Sequence, residues 1–165
     1  MENIFWRRAR RQPHHDVVDC LRNIAALGAT LLPLLASAGG TAEPPIGECP
    51  QIRLTERAPD EFHDLQNPLP NADLKTARRL YLGQEKNFGC AACHGKKGDG
   101  KGELASSFVP RPRNFTCAET LGETTDGQLF WIIRFGSPGT SMSAHADFSD
   151  QQIWQLVAYL RKFSK

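Results

Sequence analysis

The pentapeptide Cys90-Ala91-Ala92-Cys93-His94 constrains this chain more than any other stretch. A C-x-x-C-H pattern reads as a site of covalent haem attachment. Thiols at i and i+3 on a helical turn project to the same side, so both can add across the vinyl groups of one porphyrin. His94 then lies close enough for its imidazole to bind the iron as the proximal ligand. A bare C-x-x-C also suits a redox dithiol or half of a zinc site. Zinc would need a second ligand pair, and the chain has no other C-x-x-C and no H-x-x-x-H.

The N-terminus carries Arg7, Arg8, Arg10 and Arg11 and turns apolar from Ile24 to Ala36, IAALGATLLPLLA. A membrane-spanning helix needs about 20 apolar residues. This run is shorter and suits the h-region of a secretory signal, with Ala36-Ser37-Ala38 as a small-x-small cleavage pattern. Residues 1–38 are therefore expected to be a signal peptide. Export to the periplasm follows, with no stable membrane anchor after cleavage; an uncleaved anchor is the alternative. The formal net charge of +2 misleads, because the first 38 residues hold five arginines against three acids. The remainder is balanced, so nothing supports nucleic-acid binding or broad electrostatic steering.

Of five cysteines, Cys20 falls in the leader and two are assigned to haem. Cys49 and Cys117 remain, an even pair in an oxidising compartment. A disulfide between them is expected, contributing roughly 4 kcal/mol by loop closure. Two buried free thiols are the alternative.

Residues 39–71 contain six prolines, which disfavour helix, and no strand-like alternation persists. An extended arm tied down by Cys49 is expected, or else a flexible linker. Asn71 or Asp73 can cap a following helix with Ala72, Leu74, Ala77, Leu80 and Tyr81 at helical intervals, ending near Gly83. After His94, GKKGDGKGE forbids a regular element and exposes Lys96, Lys97 and Lys101, as a guide for an acidic redox partner or merely as solvated surface. VPRPRNFTC, residues 109–117, should be extended. There Phe108 and Phe115 are candidates to pack on the haem, and Arg111 or Arg113 to pair with a propionate. Thr125-Asp126-Gly127-Gln128 is a capping box before a helix over about 126–135, stopped by Gly136. Ser149-Asp150-Gln151-Gln152 starts a last helix with Ile153, Leu156, Val157 and Leu160 on one stripe.

Between those helices, Gly136-Ser137-Pro138-Gly139-Thr140-Ser141-Met142 holds the only methionine besides Met1. A Gly/Pro loop can pass close to a porphyrin face. A thioether opposite histidine stabilises ferrous iron and raises its potential. Met142 is the expected sixth ligand, with His145 as competitor and His63 as a remote third choice.

With these segments in hand, residues 72–165 resemble the class I c-type cytochromes. The resemblance rests on LYLGQEKNFG, CAACHGKKGDGKG, GQLFWIIRFGSPGTSM and SDQQIWQLVAYLRKF. It implies an all-α cytochrome c fold of three to four short helices around one covalently bound haem c. It also implies His94 proximal, Met142 distal, and Ala77 and Tyr81 against the final helix around Trp154 to Tyr159. Family members often have proline directly after the ligand methionine. Ser143 stands there in this chain, implying a looser loop and a more easily displaced Met142. The resemblance does not reach the 39–71 arm.

With Cys90, Cys93, His94 and Met142 on haem, the iron has no vacant position, and the expected function is a periplasmic monohaem carrier of single electrons. It would not be an enzyme by itself. Its partners would be a redox protein donor and acceptor, with the chain acting as a monomer or as a subunit of an oxidoreductase complex. If Met142 is not on the iron, the alternative is an open-site haem protein, a gas sensor or small peroxidase.

Overall fold

The three longer helices of this domain start where a side chain accepts the first orphan amides. The computed structural model describes residues 45–51, 54–69, 71–84 and 89–164; the expected signal peptide, residues 1–38, lies outside them. Among the described residues the order is α1 (Asp60–His63), α2 (Leu74–Leu82), α3 (Ala91–His94), a 3-10 turn (Ala105–Ser107), α4 (Ala118–Gly122), α5 (Asp126–Phe135) and α6 (Asp150–Leu160). No β-strand occurs among them, and none of these helices is long and apolar enough to cross a membrane. The fold is all-α.

Asp73 caps α2 by accepting from the amides of Lys75 and Thr76 at 3.0 and 3.2 Å. The Thr76 hydroxyl also donates to this carboxylate, and these bonds hold Asp73 below the usual carboxylate range. The helix ends at Gly83 in the left-handed region, φ 76°, as a glycine C-cap does. Ser149 and Gln152 form a complete reciprocal capping box on α6. The stripe Ile153, Leu156, Val157 and Leu160 is fully buried. At about 1.5–3 kcal/mol for each such side chain, it is a principal apolar contribution to the core. Its main partner is α2, where Ala77 and Tyr81 are buried and the Tyr81 and Tyr159 rings lie 5.4 Å apart. Arg161 closes the C-terminus of α6 by donating to Asp126 Oδ1 and to the carbonyls of Leu121 and Thr124.

Two details differ from the sequence pattern. The proline-rich arm contains the single turn α1, because Pro59 precedes the turn, where a missing N–H costs nothing. The box at Thr125 is only half made. Thr125 accepts from the Gln128 amide at 3.1 Å. The Gln128 side chain does not return to the cap. It accepts from Ala58 N–H at 2.7 Å and donates to the Glu56 carbonyl at 2.9 Å. A tertiary bond to the arm has displaced a local one.

The arm thus packs on the helical core. Phe62 lies against Phe130 and Phe135, with centroids 6.4 and 5.4 Å away. A Cβ on Gly127 would fall 1.8 Å from the Phe62 carbonyl, so only glycine lets α1 approach α5 this closely. Asn67 donates to the Trp154 carbonyl at 2.8 Å. Cys49 and Cys117 are joined as a disulfide with Cα atoms 5.6 Å apart.

Gln128→Leu leaves the buried Ala58 amide without its acceptor. It is expected to lower unfolding stability by about 1–3 kcal/mol, measured by urea denaturation of the haem-loaded protein. Thiol labelling of that protein without prior reduction should leave Cys49 and Cys117 unmodified; a label on either refutes the bond in solution.

Candidate functional site

The segments carrying the candidate residues converge on one cavity of about 900 Å³, lined by Cys90, Cys93, His94 and Met142 together with His63 and His145. Aliphatic side chains of α5 and α6, among them Leu129, Ile132, Leu156 and Leu160, supply much of the rest. Pockets for sizeable ligands run to about 300–1,000 Å³ and are mostly apolar with a few placed polar groups. The donor set and walls fit a large flat porphyrin.

Helix α3 delivers the first three residues. The His94 amide donates to the Cys90 carbonyl at 2.8 Å, and the turn is stopped at Gly95, φ 80°. Cys90 and Cys93, one helical turn apart, carry free thiols. Burial pushes the Cys90 thiol up to about 11 and raises Cys93 as well. Both therefore present S–H rather than thiolate at neutral pH, unlike a catalytic redox dithiol. Among the described residues no group of three or more His, Cys, Asp or Glu side chains is placed to hold a metal ion.

His94 is buried, and its Nδ1 lies 3.0 Å from the Arg113 carbonyl. A carbonyl can only accept, so Nδ1 carries the proton and Nε2 the lone pair. This is the arrangement that orients a metal-binding imidazole. The Phe115 ring stacks on the imidazole at 4.4 Å, interplanar angle 19°. Tyr81 donates to the Gly95 carbonyl at 2.7 Å, tying α2 to the end of the attachment turn. Burial raises the Tyr81 pKa far above its ordinary value, so it remains a neutral donor.

Met142 sits on the loop after α5, half-buried against the core. The loop is closed by Ser137 N–H donating to the Met142 carbonyl at 3.0 Å and by Met142 N–H donating to Thr140 Oγ1 at 3.1 Å. Gly136 makes this possible: its φ is 86°, and a Cβ there would lie 2.8 Å from the Met142 carbonyl oxygen. Past the loop, His145 N–H donates to the Ile133 carbonyl at 3.0 Å, and the His145 ring stacks on Phe148 at 5.2 Å.

Arg111 and Arg113 both line the cavity. Arg111 donates to the carbonyls of Ala105, Ser106 and Phe108, and Arg113 to the Gln51 carbonyl and Thr55 Oγ1 at 2.6 and 2.7 Å. These arginines organise the loop and the arm. Sequence reasoning missed that the arm itself forms part of the wall, through Gln51, Leu54 and Thr55. No periodicity or motif marks them. Lys96, Lys97 and Lys101 are exposed.

A family model described as Cytochrome c matches residues 75–164. No curated protein matches the chain. Among solved structures, a chain of the reducing HAO-like protein complex of Kuenenia stuttgartiensis is similar at 29% sequence identity, with a TM-score of 0.45. The likeness covers 54% of this chain and 41% of that one, so it spans less than half of that chain's length.

Gly136→Ala forces a side chain into a left-handed position and against the Met142 carbonyl. A loss of more than about 1 kcal/mol is expected, read by thermal unfolding; an unchanged midpoint would show that the loop does not depend on this contact.

Proposed function

This chain belongs to the cytochrome c family, and we propose on that footing that it is a periplasmic monohaem carrier of single electrons between redox proteins. Family membership makes it a haem electron-transfer protein with covalently bound haem c. When bound, the haem supplies a one-electron ferrous/ferric couple. Everything else is the work of the chain. Cys90 and Cys93 are the attachment thiols, and His94 offers Nε2 while the Arg113 carbonyl fixes its Nδ1–H. Met142 offers its thioether from the 136–142 loop, and the aliphatic residues of α5 and α6 exclude water.

One observation carries this reading. The two thiols and the His94 imidazole of one short turn line the same cavity as the Met142 thioether of a distant loop. With a nitrogen and a sulfur ligand both from the protein, the iron would have no position for a substrate, and the chain would transfer electrons rather than catalyse a reaction by itself. A His/Met pair favours the ferrous state and a raised potential. Export is supported by the apolar run ending in Ala36-Ser37-Ala38 and by the Cys49–Cys117 disulfide, a bond typical of oxidising compartments. The domain boundaries follow: residues 1–38 as signal, 39–71 as arm and 72–165 as the haem domain. The exposed lysines beside the attachment turn suit a donor or acceptor with an acidic face. The chain would serve them alone or as the electron-transfer subunit of an oxidoreductase.

His145 also lines the cavity, and an open-site haem protein remains the competing reading if sulfur is not on the iron. Met142 separates the two. The wild-type ferric protein should show the sulfur-to-iron charge-transfer band, and the ferrous protein should not bind CO. Met142→Ala should lower the midpoint potential and admit CO. A wild-type protein that binds CO, or a variant with unchanged potential, sinks the His94/Met142 assignment.

A further inference from the structure

Gln51 lies in the arm, outside the residues matched by the family model, yet it is only 7% exposed. An amide buried this deeply must have its hydrogen bonds made, and where it makes them is informative. Its Nε2 donates to the Pro112 carbonyl at 3.0 Å, and its Oε1 accepts from the Asn114 amide at 2.7 Å. One side chain thus holds the residues on either side of Arg113. The Arg113 carbonyl between them is the one that accepts from His94 Nδ1–H at 3.0 Å.

The rest of the segment reinforces the clamp. Arg113 returns a bond to the Gln51 carbonyl at 2.6 Å, and Asn114 Nδ2 donates to the Gly47 carbonyl at 2.7 Å. The Cys49–Cys117 disulfide fastens the same two stretches, with Cα atoms 5.6 Å apart. Residues 47–51 and 112–117 are therefore braced together by side-chain bonds, without a β-ladder. Four of the braces fall within one residue of the carbonyl that orients His94.

We propose that Gln51 is a positioning residue for the haem iron: by clamping Pro112 and Asn114 it aims the Arg113 carbonyl at His94 and so tunes the reduction potential. The inference rests on the haem-binding reading above. A well-aimed acceptor on the distant ring nitrogen fixes ring orientation and makes the imidazole a more basic ligand. A more basic ligand favours ferric iron. Loosening the clamp weakens the acceptor and favours ferrous iron, so the potential moves up. The sign is opposite to that expected for loss of the Met142 thioether.

The test uses haem-loaded protein. Gln51→Leu removes both bonds at similar volume. Its midpoint potential, from spectroelectrochemical titration, should shift upward, and the NMR resonance of the His94 ring N–H should move upfield as that hydrogen bond weakens. Asn67→Ala serves as the comparison, because it frees the arm from the Trp154 carbonyl while leaving the clamp intact; it should lower stability and leave both readings at their wild-type values. If Gln51→Leu does not accumulate, Gln51→Asn keeps a neutral amide but falls one methylene short of Pro112 and Asn114, and the same upward shift is expected. A folded Gln51 variant with unchanged potential and ring resonance overturns the proposal, as does an equal shift in Asn67→Ala. A wild-type protein without a reversible one-electron couple overturns the functional reading instead, and this inference falls with it.

Discussion

An apolar cavity of about 900 Å³ is a severe demand on a chain of 165 residues. Aliphatic side chains on α5 and α6 line much of it, and apolar surface left facing water forgoes about 25 cal/mol for each Å² that an occupant would cover. A covalently bound haem c supplies that cover, and Cys90 and Cys93 are the proposed points of its attachment. The core is built as a shell, with the cofactor as its largest packing element.

That view explains why the arm is more than a tether. A shell has an open side, and residues 45–69 help to close it. The arm has no long apolar stripe of its own, and its Leu54 is fully exposed. It is held by discrete polar bonds to buried partners: Gln51 on Pro112 and Asn114, Gln128 on Glu56 and Ala58, and Asn67 on Trp154. Each such bond contributes about 0.5–1.5 kcal/mol net but costs more when one partner is removed. A disulfide limits how far the unfolded arm can stray and raises the return on every one of these weak contacts.

The helices and the attachment turn were legible in the sequence because their signals are local. Asp73, Thr125 and Ser149 mark helix starts, Gly83 and Gly136 mark ends, and the α6 stripe repeats at helical spacing. Cys90, Cys93 and His94 form one contiguous motif, and Met142 stood out as a solitary thioether in a Gly/Pro loop. The arm's tie through Cys49 was legible from the cysteine count, but its polar contacts were not, for the opposite reason. Gln51 and Gln128 are ordinary polar residues whose partners lie 61 and 70 positions away. At Gln128 the local rule even misdirected, since the residue type of a capping box was recruited for a long-range bond. The turn at Asp60–His63 was hidden behind Pro59 in a segment whose prolines argue against helix in general.

In the proposed ligation by His94 and Met142, the two ligands are supported by different physics, and this asymmetry should govern the protein's behaviour. His94 is fixed by a carbonyl bond, a stacked phenyl ring and a clamp with a covalent fastening. Shifting it means moving several segments at once. Met142 rides on a loop closed mainly by its own hydrogen bonds, around Gly136 and Thr140. Ser143 follows it, where a proline would have narrowed the backbone further. A loop held by a few internal bonds opens at far lower free energy than a segment braced to the core. Changes of pH, temperature or partner should then reach the iron first as a loss of sulfur, while nitrogen ligation persists. In a carrier, that ordering keeps the cofactor seated and confines adjustment of its potential to the more yielding face.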